Sequence, residues 1–221
     1  NADQHHVQAV REGRHDFGSA VVRHVLEINV RRVEAGSDAA DDSDHAHDDD
    51  VALLARAHSW LRPSFGLHPW YVKERSPQWQ ERLRHWLTLF PEAPVGEIGL
   101  DRWIENPDIE AQLDCFRAQM ALAVELERPA TIHCLRAFGL LDETLRSIPL
   151  PRRGFLLHSY GGPAEMVPGF IKLGAYFSLS PYFAHPRKAA QLATFAKIPL
   201  ERLLTETDAP DMWPPDDLNP H

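Results

Sequence analysis

Seven short apolar runs, each stopped by Gly or Pro and each followed by a helical pattern or room for one, limit what this chain can fold into. They occupy residues 30–36, 61–68, 94–100, 130–134, 154–158, 175–180 and 202–208. Unbroken apolar runs of this length fit parallel strands covered on both faces. Their ends fall about 30 residues apart, the length of a strand–helix unit. The clearest intervening helix is predicted over 107–127, with Asn106 as N-cap and Pro107 as its first residue. Ile109, Leu113, Phe116, Met120 and Val124 mark its apolar face. Trp79, Leu83, Trp86, Leu87 and Phe90 mark a second face, and 137–147, 163–173 and 186–196 supply shorter helices.

Strict alternation of this kind builds a (β/α)8 barrel or a doubly wound sheet. The expectation is α/β, a (β/α)8 TIM barrel, in one domain over residues 1–221. An eighth strand has room only near the N-terminus, and Asn219-Pro220-His221 follow the last strand without a closing helix. The first strand and last helix are therefore expected to be truncated, disordered or absent.

Composition removes whole classes of function. The 221 residues are 43% hydrophobic and 25% charged, enough to bury a core, with a formal net charge of −9. No apolar run approaches the ~20 residues that cross a bilayer, and no basic-then-apolar leader opens the chain. No membrane is therefore expected. Two cysteines, Cys115 and Cys134, make no disulfide framework, which points to a reducing, cytoplasmic setting. The acid surplus argues against a broad basic nucleic-acid patch, and no obligatory protein partner is evident. Thirteen histidines are the compositional oddity. Between Asp38 and Asp50 lie seven Asp and two His without apolar periodicity, read as a solvated surface segment.

The strand ends carry the chemistry. One run ends Gly66-Leu67-His68-Pro69, and the next four of interest carry Glu97, Ile132-His133, Leu157-His158 and Glu206-Thr207-Asp208. In a barrel these ends meet at one face, where active sites are built. A lone buried His or carboxylate costs several kcal/mol unless partnered. Gathering Glu97, His133, His158 and Asp208 around a divalent cation removes that cost. Nitrogen and oxygen donors without thiolate suit Zn, Mn or Mg. Cys134 alternates to the face opposite His133 and is read as core. His68 and Trp70 stand where a phosphate or base could be met, and Arg136 offers two donors to phosphate oxygens. Gly161-Gly162-Pro163 opens a helix whose free amides could cradle an anion. Glu206 shares a face with Asp208 and is read as orienting a ligand or water.

Gly-Leu-His-Pro at 66–69, Val-Gly-Glu-Ile-Gly-Leu-Asp at 95–101, Ile-His-Cys at 132–134, Leu-His-Ser-Tyr-Gly-Gly at 157–162 and Thr-Glu-Thr-Asp-Ala-Pro at 205–210 stand in order. Together they resemble the TatD-type metal-dependent deoxyribonucleases, within the amidohydrolase-like barrels. The resemblance covers roughly residues 30–213. It implies a TIM barrel, one or two divalent metal ions, and hydrolysis of phosphodiester bonds in DNA, from a strand end as an exonuclease. It makes Glu97 a metal ligand between two ions, His133 and His158 ligands of the second position, and Asp208 a ligand that deprotonates the attacking water. Asp208 and Glu97 are thus the catalytic pair. The family also carries Asp-x-His-x-His at the end of its first strand. Here Asp3-Gln4-His5-His6 occupies that place, one residue short, while Asp44-His45-Ala46-His47 lies some forty residues later. Position selects His5 as the ligand, although adjacent His5 and His6 point to opposite faces of a strand.

Two other readings stay open. An amidohydrolase-like metal hydrolase could cleave a non-nucleic-acid ester or amide with the same donors, since fold does not choose substrate. A catalytically impaired barrel used for binding would account for the irregular His-x-His.

Overall fold

The computed structural model describes residues 51–207, 212, 214 and 215. The run at 30–36, the acidic segment 38–50, His5, His6, His45, His47 and Asp208 lie outside the described residues. Five strands alternate with helices: β1 (Val95–Asp101), β2 (Ala130–Leu135), β3 (Phe155–Leu157), β4 (Ala175–Leu179) and β5 (Leu203–Thr205). Helix α1 (51–57) opens the described chain, and α2 (Trp79–Leu89), α3 (Ile109–Glu125), α4 (Phe138–Ser147), α5 (Val167–Lys172) and α6 (Ala189–Phe195) follow.

All neighbouring strands are parallel, in the order β1-β2-β3-β4-β5. Strand order that follows chain order without reversal is the winding of a barrel. A doubly wound sheet turns back at a switch point. Both faces of the sheet are covered, as the apolar runs require. Every residue of β1 and β3 is buried, and Ile98, Leu100, Ile132, Phe155, Leu157 and Phe177 belong to one core. Helix α2 brings Trp86 against Phe65 in a stack with centroids 5.6 Å apart.

Three expectations need correction. The run at 61–68 narrows to a single bridge, Phe65 with Val95. Phe65 takes Gly96 N–H on its carbonyl and gives its own N–H to Pro94 O, but Pro63 and Pro69 remove ladder donors on either side. Leu67 instead pairs with a side chain: Gln119 Oε1 accepts its N–H at 2.6 Å and Gln119 Nε2 donates to its carbonyl at 3.1 Å. The long helix starts at Ile109, two residues later than read. Asn106 adopts a left-handed φ of 50°, and Asp108 is the cap, accepting Ala111 N–H at 3.0 Å. Its buried face contains Gln112 and Gln119 beside Phe116 and Met120, while Ile109, Leu113 and Val124 are only half-buried. Gln112 accepts the Asp101 N–H at 2.8 Å and donates to the Asp101 carbonyl at 3.0 Å. One helix thus clamps the backbone at residues 67 and 101 through two amides seven positions apart.

Gly162 has a packing role. A Cβ there would lie 2.6 Å from the Tyr160 ring, whose hydroxyl donates to Pro163 O at 2.8 Å. The helix that follows is only six residues long.

Candidate metal centre

Register brings the strand-end residues to one level. Gly99 pairs with His133, and Ile132 pairs with Leu157, so His133 and His158 sit one residue further along neighbouring strands. Their rings stack with centroids 5.8 Å apart. Gly99 is what lets β1 and β2 close up here. Its φ is 147°, and a Cβ on it would lie 1.9 Å from the His133 carbonyl oxygen.

Glu97 is the hub. Its Oε1 lies 2.7 Å from His158 Nε2, 3.0 Å from His133 Nδ1 and 3.5 Å from His68 Nε2. Each of the two closer imidazoles has a second carboxylate behind it. His133 Nε2 is 2.8 Å from Asp101 Oδ2, and His158 Nδ1 is 3.5 Å from Glu206 Oε2. Glu97, His133 and His158 are 4%, 5% and 8% exposed, and Asp101 is fully buried.

Such burial sets the protonation pattern. Burial pushes the Glu97 carboxyl up, but the His158 and His68 charges and bonds from His133 and His158 overcome this and hold it well below the ordinary carboxylate range. Burial likewise raises Asp101, yet bonds from His133, Trp70 and the Trp103 N–H win and leave it at about 2. Both histidines move the other way. Desolvation disfavours their charged form, but Asp101 and Glu97 raise His133, and Glu97 and Glu206 raise His158 well above its usual value.

The donor set fits a divalent cation. His68, Glu97 and His133 offer ligand atoms that all lie within 4.8 Å of one another. A neutral imidazole has one N–H and one lone pair, yet both nitrogens of His133 face carboxylate oxygens. Protons on His133 and His158 fill the need for positive charge when no ion is bound. With an ion bound, the nitrogens facing Glu97 are free to coordinate. Their opposite N–H groups then donate to Asp101 and Glu206, the outer-shell pattern of histidine metal ligands. Glu206 Oε1 is buried and makes no hydrogen bond among the described residues, leaving an acceptor for a metal-associated donor.

Of the residues read from sequence, Glu97, His133 and His158 converge and Glu206 stands behind His158. His68, read as a substrate contact, lies within the cluster itself. Arg136 is exposed, its guanidinium 5.8 Å from the centroid of the Trp103 ring. Trp70 donates its indole N–H to Asp101 Oδ2 at 2.6 Å. Asp208 and His5 lie outside the described residues. Asp101 is absent from the residues read from sequence, although residues 97, 99 and 101 of one strand share a face and so set it on the side of Glu97.

If Asp101 orients His133 for a metal, Asp101→Asn should lower metal affinity and turnover by roughly 10–100-fold, because the carboxamide accepts the His133 N–H more weakly. Isothermal titration with Zn²⁺ or Mn²⁺ and a metal-saturated rate measurement check this. An unchanged affinity would remove Asp101 from the centre.

The comparisons point the same way. A family model described as TatD related DNase matches residues 5–221. The uncharacterized metal-dependent hydrolase YjjV of Escherichia coli K12 is 34% identical over 164 residues, covering 73% of this chain and 63% of that protein. The 3'-5' ssDNA/RNA exonuclease TatD of Enterobacter lignolyticus is 32% identical, covering 77% of this chain and 66% of its own. The crystal structure of YjjV, a TatD homologue, superposes with a TM-score of 0.71 at 32% identity, over 76% of this chain and 65% of that one. A TatD family hydrolase from Entamoeba histolytica, at 20% identity and a TM-score of 0.64, shares the fold over 76% of this chain and 58% of its own. The chain therefore spans 63% of the length of the first of these relatives, and its fold is that of the (β/α)8 barrel.

Proposed function

This chain belongs to the family of TatD-related DNases, and from that premise we propose that it is a metal-dependent hydrolase of phosphodiester bonds in DNA, working from a strand end. The observation that carries this reading is Glu97 Oε1 set among three imidazole nitrogens, with a second carboxylate behind each of the two nearer rings. We read residues 1–221 as one domain. Glu97, His133, His158 and Asp208 hold the ion or ions, and His68, which faces Glu97, joins them. His5 is the N-terminal candidate ligand. We place the protein in a reducing, cytoplasmic setting, since two cysteines in 221 residues make no disulfide framework. No helix among the described residues is long and apolar enough to cross a membrane.

A bound divalent ion, Zn, Mn or Mg, would supply Lewis acidity, lowering the pKa of water towards about 7 and polarising the phosphoryl oxygen. The chain does the rest. Asp101 and Glu206 hold the two imidazoles in one tautomer and orientation. Asp208 takes the proton from the attacking water on a carboxylate oxygen. Arg136 meets a phosphate at the mouth. Burial of the cluster keeps these charges in a low-dielectric pocket, where each interaction is stronger than in water.

The test couples metal content to activity. Purified protein should contain a divalent ion, lose hydrolysis of a single-stranded oligodeoxynucleotide after EDTA, and regain it with Mg²⁺, Mn²⁺ or Zn²⁺. Metal-restored cleavage of an ester or amide but not of DNA would move the assignment to another metal hydrolase. No metal and no hydrolysis would overturn it.

A further inference from the structure

Trp103 leaves 62% of its surface exposed, against 9% for Trp86 in the core. Its place is set by the ends of β1 and β2. Arg102 N–H donates to Leu135 O at 2.9 Å, and the next residue on each segment is Trp103 on one side and Arg136 on the other. The Arg136 guanidinium carbon stands 5.8 Å from the indole centroid. The loop is pinned from below: Asp101 Oδ1 accepts the N–H groups of Trp103 at 2.6 Å and Ile104 at 3.3 Å. The other oxygen of that same carboxylate meets His133 Nε2. An indole and a guanidinium thus stand just past the C-terminal ends of β1 and β2, and the carboxylate that holds the Trp103 loop also meets His133.

Arg136 takes a left-handed φ of 54°, uncommon for a residue with a Cβ. An exposed aromatic ring with a cation over one face leaves the other face for a nucleotide: the ring stacks a base and the guanidinium reaches its phosphate through two donors. A chain of net charge −9 also needs local attraction to approach a polyanion. A base inside a duplex is already stacked on both faces, whereas each unpaired base of a single strand can turn a face to the ring.

We propose that Trp103 and Arg136 form a stacking platform that binds an unpaired base with its phosphate and so selects single-stranded ends. The proposal rests on the nuclease reading above, and binding is measured separately from turnover so that the two can fail separately. The full chain is titrated into a fluorescein-labelled single-stranded oligodeoxynucleotide in EDTA, followed by anisotropy. Trp103→Ala should weaken binding roughly 5- to 150-fold, Trp103→Phe should keep most of the affinity, and Arg136→Gln should weaken it and flatten its salt dependence. An oligonucleotide of the same length with abasic sites should bind wild type and Trp103→Ala alike. Thermal unfolding of Trp103→Ala should match wild type, since the side chain is exposed. Equal affinity of Trp103→Ala and wild type for the normal strand overturns the platform, as does failure of wild type to bind it. Trp103-dependent binding without hydrolysis on adding Mg²⁺, Mn²⁺ or Zn²⁺ upholds the platform and overturns the nuclease reading.

Discussion

Glu97→Gln should strip the protein of its divalent ion and abolish hydrolysis. The carboxylate is almost wholly buried, and a single oxygen of it faces His68, His133 and His158. Gln preserves volume and fills the same space, but a neutral carboxamide is a weak ligand and cannot balance the charge of the surrounding imidazoles. Loss of a partner behind a ligand costs about 10–100-fold in affinity or activity, so loss of the ligand shared by three imidazoles should exceed the upper end of that range. Metal analysis after dialysis and kcat/KM on an oligodeoxynucleotide are the measurements. Near-wild-type metal content with full turnover would show that the cluster is only a buried ion-pair network.

Asp208→Asn is expected to have an effect of similar size by a different route. The sequence pairs Asp208 with Glu206, two residues before it, and Glu206 lies 3.5 Å from His158. Asn keeps the size and one metal-binding oxygen but cannot accept the proton of the attacking water. A well-placed base contributes roughly 10²–10⁴ in rate, so turnover should fall by that factor or more while circular dichroism stays unchanged. The two variants separate by metal content: Glu97→Gln should lose the ion, and Asp208→Asn should retain much of it while losing kcat. A fully active Asp208→Asn protein would remove the base from the mechanism.

What could be read along the chain was whatever depends on near neighbours in sequence. Short apolar runs closed by Gly or Pro located the five strands of the described residues, because a strand covered on both faces is mostly apolar. Glu97, His133 and His158 were legible because each stands in or just past such a run, and parallel strands bring those ends to one side. Tertiary structure decided the partners. Gln112 and Gln119 look like solvent-facing amides until the backbone at residues 101 and 67 supplies what they bond, 11 and 52 positions away. The run ending at His68 stopped pairing as a strand because prolines flank its one bridge, and His68 came to rest against Glu97. Asp101 gained its place from His133 on the next strand, and Trp103 met Arg136 because one bond between Arg102 and Leu135 ties their loops. Periodicity follows from backbone geometry and is written locally. Burial of a charge or an amide is settled only by the group that arrives to satisfy it, and the fold brings that group from far along the chain.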